Sequence, residues 1–80
     1  MTGNMERYAD GVAITPHDST NFTEGTCRGI YVGGAGNIVV VKPGGSTVTF
    51  SGALAGTIIP IQAIRVNSTS TTATNLVALY

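Results

Sequence analysis

The sequence predicts an all-β fold, a small antiparallel β-sandwich or barrel of about six to seven short strands with an N-terminal arm. Eight Val and seven Ile outnumber three Leu, and β-branched side chains fit a pleated sheet better than a helix. Gly and Pro clusters cut the 80 residues into short pieces, each bounded by turn chemistry. No window of about eleven residues holds an apolar stripe at helical spacing.

Residues 1–11 are polar and without pattern, and read as an arm that orders on contact with a partner. Residues 12–80 read as one β domain. Its first strand is expected at 12–15, followed by Thr15-Pro16-His17-Asp18-Ser19-Thr20-Asn21, a loop held by Asx and Ser/Thr turns. A second strand is expected at 26–32, where alternation sends Arg28, Ile30 and Val32 to one face and Cys27, Gly29 and Tyr31 to the other. Gly33-Gly34-Ala35-Gly36-Asn37 then reads as a tight reversal into a third strand at 37–42. Pro43-Gly44-Gly45 turns the chain into a fourth at 46–50. The second to fourth strands are therefore expected to form a meander. Ile38-Val39-Val40-Val41 is apolar on both faces, which places it centrally between two layers or against another subunit. A fifth stretch, 57–67, breaks at Pro60, which cannot donate to a ladder. The polar run 68–74 reads as an exposed, mobile loop. The last strand, 75–80, carries Leu79 and Tyr80, expected to be paired in the sheet or docked on a neighbour.

Charged residues make up 10% of the chain, with zero net charge, against about 25% in an average soluble domain. Nucleic acid and anionic membrane surfaces are therefore excluded as partners. Thr and Ser fill 17 positions and Gly another 11, so the surface is neutral and hydroxyl-rich. Such a surface packs against a neighbour without desolvating charges. A chain of this size buries only about 60% of its unfolded surface, and small domains close that gap with disulfides, metals or partner chains. One Cys and one His leave association as the route. The apolar run 38–41, like every other in the chain, is far short of a membrane span. Met1 to Arg7 lacks the regions of a signal peptide, so synthesis in the cytoplasm is expected.

No catalytic, metal or cofactor site is expected. The glycine cluster at 33–36 has neither dinucleotide spacing nor the Lys-Ser/Thr of a phosphate loop. His17-Asp18-Ser19 has the residue types of a hydrolase triad, but a triad is a geometry and neighbours in sequence rarely converge. Cys27 reads as a small buried apolar residue. Glu6, Asp10, Asp18 and Glu24 all fall in the first third among loop residues, and form no metal-ligand cluster. Arg28 and Arg65 stand inside strands of small and apolar residues, where charge is costly unless paired. Each reads either as a contact to a carboxylate on an adjacent subunit or as part of a solvated face.

Several phrases carry a resemblance: Ala13-Ile14-Thr15-Pro16-His17-Asp18-Ser19-Thr20-Asn21, Gly25-Thr26-Cys27-Arg28-Gly29-Ile30-Tyr31-Val32-Gly33, Ser46-Thr47-Val48-Thr49-Phe50, Ile64-Arg65-Val66-Asn67, and Thr71-Thr72-Ala73-Thr74-Asn75-Leu76-Val77-Ala78-Leu79-Tyr80. In order and spacing, across about 12–80, the chain resembles the small head spike-base and capsid decoration proteins of tailed phages and gene transfer agents. The resemblance implies a non-enzymatic virion protein on the capsid exterior, made in the bacterial host cytoplasm. It implies a homo-oligomer, trimer or pentamer, contacting the major capsid protein and sometimes a fibre protein. On this reading the interface residues are Arg28, Arg65, the arm residues Met1, Glu6, Arg7 and Tyr8, and the terminal Leu79 and Tyr80. The alternative is a host-surface glycan-binding module using the loops at 33–37 and 68–74.

Overall fold

The computed structural model describes residues 8–80, and among them strands and turns form but no helix. The strands are β1 (Gly11–Ala13), β2 (Gly29–Tyr31), β3 (Gly36–Val41), β4 (Thr47–Ala53), β5 (Ile58–Ile59), β6 (Arg65–Val66) and β7 (Val77–Leu79). They make two antiparallel sheets, ordered β1-β7-β2-β5 and β4-β3-β6. Ile30, Val32 and Ala78 from the first meet Ile38, Val40 and Val66 from the second in one core cluster, with Cys27, Ala63 and Leu76 beside them. The fold is thus an all-β sandwich. Burying an Ile or Val side chain fully contributes about 1.5–3 kcal/mol, and this cluster of small and β-branched groups is the main source of cohesion.

β3 explains its own composition. It is the centre of its sheet, paired with β4 on one side and β6 on the other. Ile38 and Val40 point into the core, while Val41, on the outer face, is still only 2% exposed. Its cross-strand neighbours are Thr47 and Arg65. The β3–β4 hairpin closes at Pro43-Gly44-Gly45, where the Gly45 N–H bonds the Lys42 carbonyl at 2.8 Å and Gly45 takes φ +97°, a conformation that favours glycine.

The structure corrects three expectations. β2 does not pair with β3: the two lie in different sheets, so the second to fourth strands form no meander. The 33–36 segment is a crossover, and Gly34 bridges to Thr74. Its glycines are needed for close approach, since a Cβ on Gly33 would lie 2.5 Å from the Asn75 carbonyl oxygen and one on Gly36 would lie 2.5 Å from the Ala73 nitrogen.

The alternation expected across 26–32 also slips by one residue. The Arg28 N–H bonds the Leu79 carbonyl although Gly29 is the register partner of Leu79. Two residues therefore face one, a β-bulge, and Cys27 joins Ile30 and Val32 in the core while Arg28 is exposed.

Finally, 68–74 is not a free loop. The Asn37 N–H bonds Thr72 Oγ1 at 2.9 Å and the Val39 N–H bonds Thr71 Oγ1 at 3.0 Å. The Thr72 and Ala73 N–H groups bond the Asn37 carbonyl in return. Threonine hydroxyls thus complete the edge of β3 beyond the reach of the two-residue β6.

Candidate assembly surface

A two-sheet sandwich has four lateral edges, and each offers unpaired backbone groups unless something covers it. The β6 edge is covered: the His17 N–H bonds the Val66 carbonyl and the Phe22 N–H bonds the Ile64 carbonyl, both at 2.8 Å. β5 is two residues long and is followed by Pro60, which cannot donate. Among the described residues, β1 and β4 are left open.

Hydrogen-bond parity shows which groups they present. Asp10 and Tyr80 exchange backbone bonds and the Ile14 N–H bonds Leu76, so the N–H and C=O groups of Ala13 and Thr15 point away from β7. The Lys42 N–H bonds the Ser46 carbonyl, so on β4 the outward groups belong to Thr47 and Thr49. Among the described residues nothing pairs with these groups. β4 is seven residues long, Thr-Val-Thr-Phe-Ser-Gly-Ala, without charge or proline, and its one register shift lies past Phe50.

Beside β1 lies a cavity of about 290 Å³ whose walls include Val12, Ile14, Phe22, Ala78 and Tyr80, with Thr20, Asn21 and Glu24 at its polar side. Ile14, Phe22 and Tyr80 are only partly buried against the core, as are Val48 and Phe50 on β4. The far wall of the cavity is held by two polar ties. Asp18 accepts the Ser68 and Thr69 N–H groups at 3.0 and 2.9 Å, and also the Thr69 hydroxyl. These bonds, led by the Thr69 hydroxyl, hold its carboxyl below the usual carboxylate range. Arg65 donates through Nε to Asn67 Oδ1 and through a terminal nitrogen to Asn21 Oδ1, both at 3.0 Å.

The residues proposed for the interface from the sequence are therefore spread over the molecule. Arg65 is half-buried on β6 and bonded to the 20–24 side of the cavity wall through Asn21. Arg28 stands on the outer face of the other sheet, its guanidinium 5.6 Å from the centroid of the Tyr8 ring, a cation–π distance. The Tyr8 hydroxyl in turn lies over Gly29, 3.0 Å from where a Cβ would stand. Leu79 pairs with both Gly11 and Gly29, so the terminal strand is the interior of its sheet, and the Tyr80 hydroxyl bonds the Gly25 carbonyl at 3.0 Å. Burial pushes the Tyr80 phenol above its ordinary value, with Cys27, Glu24 and Asp10 adding to the effect. Met1, Glu6 and Arg7 lie outside the described residues. Cys27 is fully buried, and desolvation raises its thiol pKa. Among the described residues no group of three or more His, Cys, Asp or Glu gathers.

Sequence reasoning passed over Asp18 as a tie to a segment about fifty positions away, and Phe22 as a cavity wall. The available signal was the Asx-turn residue beside an otherwise polar loop. Its partner across the chain left no local trace.

Among solved structures, the chain matches one from the capsid of a native GTA (gene transfer agent) particle computed with C5 symmetry. The TM-score is 0.85 and the identity 32%, over 100% of this chain and 92% of that one. The chain belongs to the gene transfer agent and phage capsid-related proteins. The resemblance read from the phrases across 12–80 holds at that level. No protein-family model and no curated protein matches the chain. Nearly complete coverage in both directions means that the whole sandwich is shared.

Proposed function

We propose that the protein is a structural virion component and not an enzyme, seated on the outer surface of a phage-like capsid as head decoration or spike base. The observation that carries this reading is the end-to-end match to a chain of a gene transfer agent capsid. The physical reading agrees with it. A domain with 10% charged residues and two uncovered sheet edges gains most when neighbours cover them. The working state is a closed homo-oligomeric ring, in which one surface of each copy meets a different surface of the next. Its copy number, three or five, is read by the mass measurement below.

Binding across major capsid protein subunits stabilises the shell by mass action, because only the assembled lattice presents the composite site. A fibre protein is a further partner on the distal side, and the 1–11 arm is a clamp to the capsid or to the next subunit. The glycan-binding alternative used loops 33–37 and 68–74, whose polar groups are bonded to each other: Gly34 N–H to the Thr74 carbonyl, and Thr74 N–H to that of Gly34.

The test is a native mass measurement of the purified chain, followed by its addition to phage-type heads lacking a decoration protein. A three-fold or five-fold mass and saturable binding that raises the disruption temperature of the heads are expected. A thermally robust monomer with no affinity for heads overturns the proposal.

A further inference from the structure

We infer that the ring is sewn by strand pairing, the β4 edge of one copy bonding the β1 edge of a second copy so that the β4-β3-β6 sheet of one continues the β5-β2-β7-β1 sheet of the next. The inference rests on the ring reading above, and names the surface that makes it.

The first argument is elimination: of the four edges only β1 and β4 lack a covering segment or a break among the described residues. Exposed strand edges are normally blunted by lysine, proline or inward charge, and β4 has none of these between Thr47 and Ala53.

The second argument is parity. The residues whose amides point outward without a partner among the described residues, Ala13 on β1, Thr15 just past its end, and Thr47 and Thr49 on β4, also turn their side chains to the exposed face. Antiparallel partners directly opposite each other share a face. Bonding these amides therefore places Ala13, Thr15, Thr47 and Thr49 together on the outer surface. It also places half-buried Val12 and Ile14 beside half-buried Val48 and Phe50 on the inner one. Had the parity of either strand been opposite, the same hydrogen bonds would have put apolar side chains into solvent.

The third argument is shape. The cavity beside β1, about 290 Å³ and walled by Ile14, Phe22 and Tyr80, is about twice the ~150 Å³ that accommodates a benzene-sized group. Pairing β1 with β1 would set two cavities face to face, and pairing β4 with β4 would leave both empty. Only β4 against β1 brings Val48 and Phe50 to the cavity mouth, and only that unlike pairing propagates around a ring.

The experiment is hydrogen exchange read at single amides on the full chain, assembled and diluted to the monomer, with native mass measured in parallel. In the ring, the amides of Thr47, Thr49, Ala13 and Thr15 exchange at least ~tenfold more slowly than in the monomer. Those of Val48 and Phe50, already bonded to β3, change little. The variant Thr49→Pro removes one outward donor at a position where an edge strand tolerates proline, and is expected to yield a folded monomer. Thr49→Lys, which blunts the edge and leaves the backbone intact, is expected to do the same.

A ring of correct mass whose four amides exchange as in the monomer, or in which Thr49→Lys assembles normally, overturns the seam and leaves the structural role standing. Protection on β4 alone, with an even stoichiometry, overturns it in favour of a two-fold β4–β4 dimer. Absence of any oligomer overturns the seam together with the ring.

Discussion

Replacing Gly36 by Ala tests the packing of the crossover against the 72–75 segment. A Cβ at this position would stand 2.5 Å from the Ala73 nitrogen, 2.7 Å from the Thr72 carbonyl carbon and 2.8 Å from Ala73 Cα. All three are backbone atoms, so no side chain can rotate away and the two segments must separate. Three hydrogen bonds span the same gap: the Thr72 and Ala73 N–H groups to the Asn37 carbonyl, and the Asn37 N–H to Thr72 Oγ1. Overpacking costs about 1–3 kcal/mol, and each hydrogen bond weakened adds about 0.5–1.5 kcal/mol. A loss of roughly 2–5 kcal/mol follows, a large share of the ~5–15 kcal/mol that holds a small domain. For a chain of this length that lowers Tm by roughly 10–30 °C. The assay is urea and thermal unfolding at one fixed protein concentration, with Gly44→Ala as control. Gly44 has no atom within 4 Å of its would-be Cβ, so its substitution is expected to stay within about 0.5 kcal/mol of the parent. If Gly36→Ala is as mild as Gly44→Ala, the close approach is not what fixes glycine here.

Asp18 should make the 68–70 turn acid-sensitive. Its folded pKa is depressed by the Thr69 and Ser68 hydrogen bonds, so its contribution is fully present above the ordinary carboxylate value and is lost as pH falls through the lower folded one. Stability measured between about pH 5 and pH 2 should drop less steeply in Asp18→Asn than in the parent, and an identical slope would discount the tie. The Cys27 thiol, buried and raised in pKa, should resist thiol reagents at pH 8 until denaturant unfolds the chain; rapid native labelling would contradict its place in the core. Arg65→Ala removes the bonds to Asn67 and Asn21 and should cost about 1–2 kcal/mol while freeing the loop that walls the β1 cavity. An unchanged exchange rate at the Phe22 amide would show that the loop is held by other means.

The fold class was legible because β-branched runs and turn residues report directly on strand and reversal. The break at Pro60 was legible because a missing N–H acts locally. The glycine cluster was misleading for a physical reason: glycine serves a tight reversal through its free φ and a close approach through its missing Cβ, and the residue type is the same in both. At Gly33, Gly34 and Gly36 the second cause operates, set by a segment about forty positions away. The same holds for Thr71 and Thr72, whose hydroxyls read as loop polarity but act as acceptors for β3. The slip at Arg28 was hidden because counting by twos assumes one residue opposite each partner, and the bulge places two. The open edges could be named only after the pairings were known, since an edge is defined by the strand that is not beside it.

Of the five strand pairings among the described residues, β3–β4 alone joins neighbours in the chain. Hairpins close in about 1–10 μs, whereas topologies built on distant pairings fold in milliseconds to seconds. The ribbon bearing Thr47 and Thr49 is therefore expected to exist well before β7 settles between β1 and β2. During that interval the β4 side of the proposed seam is ready while its β1 partner is still unmade, so crowded nascent copies are at hazard of joining hairpin to hairpin. Production at low concentration, with time for the slow closure, is the condition under which the proposed rings would outnumber aggregates.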